Sequence, residues 1–326
     1  MSRLRPTIAA VAAAAVLTLA LGMQAVSAAD KVVVAVTAID EHPALNACRE
    51  GVRAALKAAG YEEGKNLTFV FESAHGDPAV QTQIARKFAR EKPSVIVPIS
   101  TPSAQAVVAA AIGTPVIFAA VTDPLGANLV RDMHTPGGNV TGTSDLSPVK
   151  SQIDLIRKIT PSARRIGVLF NPQESNSHTL VYLMKRTALA ANMDTVEAPA
   201  RKASDVSAAA RGLVGKADVI FVPTDSTIAS AVEDVVKVGV DNRIPVYAGD
   251  IDLVRRGAIA AIGTDYYNLG WQTGNIVVRV LRGEKPGGIP VAVAEKAVLD
   301  VNPHMAMEMG VTIPPDVLSQ ADGVIQ

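Results

Sequence analysis

From Lys31 onward the chain alternates between two apolar periods. KVVVAV (31–36) is a continuous apolar run of strand length. Pro43 suits a first helical turn, Leu45, Cys48, Val52, Leu56 and Ala59 follow at helical spacing, and Gly60 closes the helix. LTFVFES (67–73) reads as a strand, 77–91 as a helix, SVIVPIS (94–100) as a buried strand, 102–112 as a helix and PVIFAAV (115–121) as a strand. Such repetition predicts βαβ units and a parallel sheet. Residues 122–150 carry Pro124, Gly126, Pro136, Gly137, Gly138, Gly142 and Pro148, punctuation that marks a crossing between lobes.

The rhythm then restarts. Strands are expected at 164–170, 194–200, 217–223, 244–250 and 258–264. Helices are expected at 175–191, from an N-cap at Ser204 to near Gly215, at 226–242, and after Asp265 until Gly283 and Pro286. VIVPISTPSAQAV (95–107) aligns with IFVPTDSTIASAV (220–232) without a gap. At corresponding points of two similar series, that match favours two like lobes over one long sheet. The expected architecture is α/β, with two doubly wound parallel-sheet lobes joined by three hinge crossovers. One lobe takes 30–145 plus 265–290 and the other 146–264 plus 291–326.

The N-terminus stands apart. Arg3 and Arg5 precede an apolar run from Thr7 to Val26, and Ser27, Ala28 and Ala29 follow as small residues. Residues 1–29 therefore read as a cleaved secretory signal peptide and place the mature protein in a periplasm. The alternative is a membrane anchor, since the run is about long enough to span. The whole chain of 326 residues carries 31 Lys+Arg and 31 Asp+Glu; loss of Arg3 and Arg5 leaves net −2. That balance argues against a nucleic-acid partner. The single cysteine, Cys48, forbids an internal disulfide and reads as buried filler.

Polar residues collect where strands end. The first half offers Ser100 and Thr101, then Thr122 and Asp123. The second offers Asn171, Ser175, Asn176 and Ser177, then Asp225 and Asp250, and the last connection adds Asp265 and Tyr266. Each is also an ordinary helix cap. Together they would face one gap between lobes, where ligands of doubly wound sheets bind. Helix N-termini favour an anion, and a buried ammonium needs a carboxylate. Supplying both suits a zwitterion.

Catalytic and metal sites have little support. No two of the five histidines are spaced i,i+4, and there is no GxSxG elbow, Walker loop or GxGxxG after the first strand. No cofactor is therefore expected. Asp225 and Asp250 could form an acid–base pair, but neither has a nucleophile beside it. His42, beside Pro43, reads as a loop or cap residue. Tyr266, Tyr267 and Trp271 allow two readings, packing at a hinge and stacking on a planar ligand.

The segments EHPALNACREGVRAALKAAGY, VTDPLGANLV, PGGNVTGTSDL, GVLFNPQESNS, FVPTDSTIASAV, RRGAIAAIGTDYYNLGWQTG and LRGEKPGGIPV occur in order from about Lys31 onward. They resemble the ABC-transporter substrate-binding proteins of the tryptophan/tyrosine-type family. The resemblance implies a type I periplasmic-binding fold and a small amino-acid-like ligand trapped between lobes. An ABC permease and ATPase would be the partners. It also implies Ser100, Thr101 and Thr122 for a ligand carboxylate, and Asp225 and Asp250 for its ammonium. Asn171, Ser175, Asn176 and Ser177 would contribute from the second lobe, with Asp265 and Tyr266 at the return crossing. Asn46 stands where relatives often carry Asp, which weakens the aromatic expectation. A sensing partner of a membrane receptor, or an exported enzyme, would be the rival functions. A monomer is expected because a hinge must move freely.

Overall fold

The computed structural model describes residues 31–325, so the signal peptide expected over 1–29 lies outside it. The first series runs β1 (Val32–Ala38), α1 (Pro43–Ala58), β2 (Leu67–Ser73), α2 (Pro78–Glu91), β3 (Val95–Ile99), α3 (Thr101–Ala110), β4 (Val116–Phe118) and β5 (Val140–Ser144). These strands are parallel and lie in the order β2-β1-β3-β4-β5. Helices cover both faces, so the central strand VIVPI is buried at every position and reads as an apolar run without alternation. Edge strand β2 is half-exposed instead; Arg49 and Arg53 of α1 lie over the Phe71 and Phe69 rings, at 4.1 and 4.6 Å.

The chain then crosses into α4 (Val149–Ile159), β6 (Arg165–Phe170), α5 (Ser175–Ala190), β7 (Asp194–Pro199), α6 (Ala203–Arg211), β8 (Val219–Val222), α7 (Ser226–Ser230), α8 (Val232–Asn242), β9 (Val246–Ala248), α9 (Asp252–Arg255) and β10 (Ala260–Thr264). The order β7-β6-β8-β9-β10 repeats the first winding. It crosses back into α10 (Tyr266–Leu281) and β11 (Ala292–Val293), then again into β12 (Ala297–Val301), α11 (Pro303–Glu308), α12 (Pro315–Leu318) and β13 (Gly323–Val324). Two separate hydrophobic cores result, one per sheet.

Local detail departs from the sequence expectation in several places. β5 lies inside 122–150 and is spelled VTGTS, without an apolar run. It is buried because its hydroxyls are paired: Thr141 Oγ1 donates to Ile289 O at 2.7 Å, and Thr143 and Thr273 hydroxyls meet at 2.8 Å. The expected lobe boundary at 290/291 is too early. Ala292 and Val293 pair with Thr143 and Ser144 on the first sheet, so the third crossing lies between Val293 and Ala297. β12 is antiparallel to β10. The helix expected over 226–242 breaks at Ala231, whose φ of −127° is not helical. α6 starts at Ala203, with Lys202 rather than Ser204 at its N-cap.

α10 ties the return crossing to the first lobe. A Cβ on Gly270 would fall 1.9 Å from Cys48 O, and one on Gly51 would fall 2.1 Å from Tyr267 O. The α1 and α10 backbones therefore touch, and only glycine permits it. Cys48 sits fully buried at this seam, and burial pushes its thiol pKa up.

Candidate functional site

The C-terminal strand ends of the two sheets line a narrow cavity. Of the twelve residues named from the sequence, seven line it: Ser100, Thr101, Thr122, Asn176, Asp225, Asp250 and Tyr266. The other five are placed elsewhere. Asn171 and Ser177 stand behind Asp225, donating to its Oδ2 from the Asn171 backbone N–H and the Ser177 hydroxyl, both at 2.6 Å. Ser175 starts α5 without reaching the cavity. Asp265 caps α10 by accepting from Asn268 N at 3.0 Å. Asp123 lies at a seam between lobes, accepting from Gly126 N at 2.8 Å and from Thr179 Oγ1 at 3.3 Å.

The lining also contains groups not named from the sequence. Asp145, in the first crossing, accepts from Tyr266 OH at 2.7 Å and from Thr122 Oγ1 at 3.2 Å. His42, Leu45 and Ala120 come from the first lobe, and Thr224, Ser226 and Ala229 from the second. Tyr267 and Trp271 do not line the cavity; both are partly exposed on α10. The stacking reading therefore fails for these two.

Three carboxylates line the cavity, Asp225 and Asp250 from the second lobe and Asp145 from the end of β5 in the first, with no Lys or Arg in the lining. All three are buried. Burial raises the pKa of each, because the charged form loses water. Their support differs. Asp225 is the N-cap of α7 and accepts from Ile228 N at 3.0 Å besides Asn171 and Ser177. These bonds favour its ionised form. Neighbouring Glu174 is pushed up, first by burial and then by Asp225. Asp250 accepts only from Asp252 N, at 3.0 Å, and burial with the Asp252 charge pushes it up to about 7. It is the carboxylate most in need of a cationic partner.

The opposing wall belongs to the first lobe. Ser100 caps α3 at φ 83°, ψ 157°, a region that only glycine occupies freely. Ala120 sits at φ 53°. Each conformation costs about 1–3 kcal/mol, and both residues line the same cavity. The first N–H groups of α3 have no intrahelical partner, which makes this end receptive to an anion. Four buried lining atoms have no protein hydrogen-bond partner: His42 Nδ1, Thr101 Oγ1, Asn176 Oδ1 and Thr224 Oγ1. Buried polar atoms are ordinarily paired, so their convergence here points to a polar ligand. Among the described residues, no group of three or more His, Cys, Asp or Glu is placed to hold a metal ion.

The family of ABC transporter substrate binding proteins matches residues 33–325. The chain belongs to this family. As an ABC substrate-binding protein it is 39% identical to the tyrosine-binding protein of Clostridioides difficile, over 82% of this chain and 78% of that one. It is similar to the ABC domain from Streptococcus pneumonia in complex with L-Trp, at 34% identity and TM-score 0.88, covering 91% of this chain and 100% of that one. It is also similar to the ligand-free, open structure of a substrate-binding protein with adhesive properties from Clostridium difficile. There the identity is 36% and the TM-score 0.69, covering 90% of this chain and 99% of that one. At comparable identity, the better match is to the ligand complex.

Proposed function

We propose that this protein is the extracytoplasmic receptor of an ABC importer and that its ligand is an L-amino acid with an aromatic side chain. The observation that carries the reading is a set of three buried carboxylates without a cation, lining the same cavity as the start of α3. Asp250 and Asp145 take the ammonium, and Ser100 and Thr101 take the carboxylate. Asp225 sets the second wall and is held by its own hydrogen bonds. The tyrosine-binding relative and the L-Trp complex support an aromatic side chain. Residues 1–29 direct export and are cleaved. The closed form is presented, as a monomer, to a membrane permease driven by an ATPase. The protein breaks no bond.

Contacts to both lobes exist only in the closed form, so binding shifts the protein toward closure. A ligand at a hundred times its Kd stabilises the protein by about 2.7 kcal/mol, or about 5–10 °C in Tm. A thermal-shift screen over amino acids, sugars and nucleosides tests the reading. A shift of that size with L-tyrosine or L-tryptophan is expected; a response confined to sugars or nucleosides overturns it.

A further inference from the structure

The zwitterion does not use every polar group around the cavity. Its ammonium has carboxylate acceptors and its carboxylate has the α3 end. His42 is left over. Its side chain is buried, lines the cavity, and has no hydrogen-bond partner at Nδ1. Although it occupies the N-cap position of α1, it makes no side-chain capping bond. The cap position expected from the sequence therefore holds for the His42 backbone and leaves its ring uncommitted.

The environment of the ring indicates what it meets. Leu45 lies three residues along, on the same face of the α1 start, and is one of three aliphatic residues in the lining, with Ala120 and Ala229. The apolar part of a ligand belongs beside these groups. Burial, with Arg256 nearby, pulls the His42 pKa down to about 4, so the ring is neutral at neutral pH and carries one donor and one acceptor. Arg256 is committed elsewhere: its Nε and Nη2 bond Glu233 at 2.7 Å, and its Nη1 bonds Ala229 O at 2.7 Å.

We propose that His42 is a specificity-determining residue that accepts a hydrogen bond from the side chain of the ligand, selecting aromatic amino acids that carry an O–H or N–H over those that carry none. The proposal rests on the amino-acid reading above and names the substrate class within it: phenols and indoles rather than plain phenyl rings. A site built to bond such a donor leaves a buried nitrogen unpaired when the donor is missing, and discrimination follows from that penalty.

Calorimetric Kd values for L-tyrosine, L-tryptophan and L-phenylalanine test it on the full mature chain, in the wild type, His42→Phe and His42→Gln. The wild type is expected to prefer a donor-bearing ligand over phenylalanine by about ten- to hundredfold. His42→Phe is expected to bring that ratio close to one without weakening phenylalanine, and His42→Gln to keep part of it. A histidine that merely supports the fold, or that contacts the ammonium, would weaken all three ligands alike; that result overturns the proposal, as does an unchanged ratio. O-methyl-L-tyrosine on the unmodified protein gives a test that needs no variant. It is expected to bind no better than phenylalanine, and binding as tight as tyrosine overturns the role of His42. Tight binding without discrimination refutes this inference alone, whereas no binding of any aromatic amino acid refutes the functional reading beneath it.

Discussion

The two lobes share one winding but place different chemistry at equivalent strand ends. In the first, Ile96 N donates to Pro115 O and Ala119 N to Pro98 O; in the second, Ile220 N donates to Pro245 O and Gly249 N to Val222 O. These bonds set β3 against β8 and β4 against β9. They make Ala120 the counterpart of Asp250, and the two helix caps, Ser100 and Asp225, occupy like places. The gap-free sequence match is displaced by one residue within the strands, and Thr224 absorbs the extra position before its helix. At both equivalent sites the first lobe carries an uncharged residue in a strained conformation, and the second carries a buried carboxylate. Duplicated architecture thus supplies the two poles of a zwitterion site by changing two residues per lobe rather than the fold.

The sharpest way to break this comparison is to neutralise the second pole. Asp250→Asn is expected to weaken ligand binding by at least about a hundredfold, since removing one partner of a buried charge pair costs about 2–5 kcal/mol. The same variant should raise the apo Tm at pH 8. Burial pushes the Asp250 pKa up to about 7, well above the ordinary carboxylate value of 3.8, so the folded state holds its proton more tightly. Stability is therefore lost as pH rises from about 4 to 7, and the amide has no proton to lose. Thermal melts at pH 5 and pH 8 check this; a variant less stable than wild type at pH 8 would contradict it.

Asp225→Asn separates the two carboxylates. Asp225 accepts three hydrogen bonds from its own lobe, and an amide cannot accept them all. A lower apo Tm, by about 5–10 °C, is expected where Asp250→Asn gives a rise. Next in size is pH. Ligand ammonium requires ionised Asp250, so affinity should fall by up to about tenfold for each pH unit below 7. Titrations from pH 5 to 8 measure it, and a flat profile would remove Asp250 from the ammonium pole. The smallest effect concerns the first lobe. Ser100→Gly relieves a strained φ and loses a hydroxyl, so apo stability should rise by about 1 kcal/mol while affinity declines modestly. Chemical denaturation resolves that gain; a loss would show that the φ of Ser100 stores no strain.

Much of this arrangement could be read from residue order. Parallel strands buried on both faces announce themselves as apolar runs, as in VIVPI, and their polar ends mark the site; Ser100, Asp225 and Asp250 follow from that rule. Asp145 did not, because the strand before it, VTGTS, is held by hydroxyl pairing and by a glycine whose Cβ would meet Phe118 O at 2.0 Å. Its length and polarity imitate a loop. His42 is the N-cap that the sequence allowed, and only the tertiary packing brings it into the cavity lining. Asn171 and Ser177 had the right residue types on the right strand end but support Asp225 from behind, a distinction that depends on side-chain direction. Asp265 behaves as the ordinary N-cap that its position in the sequence also allowed.

The two-pole arrangement is tested most directly by titrating the wild-type protein with L-tryptophan, with tryptamine, which lacks the carboxylate, and with indole-3-propionate, which lacks the ammonium. Tight binding of the amino acid is expected, with a loss of at least about a hundredfold for each truncated ligand and the larger loss for the acid, which leaves Asp145 and Asp250 without a cation. Binding of indole-3-propionate as tightly as the amino acid would contradict it.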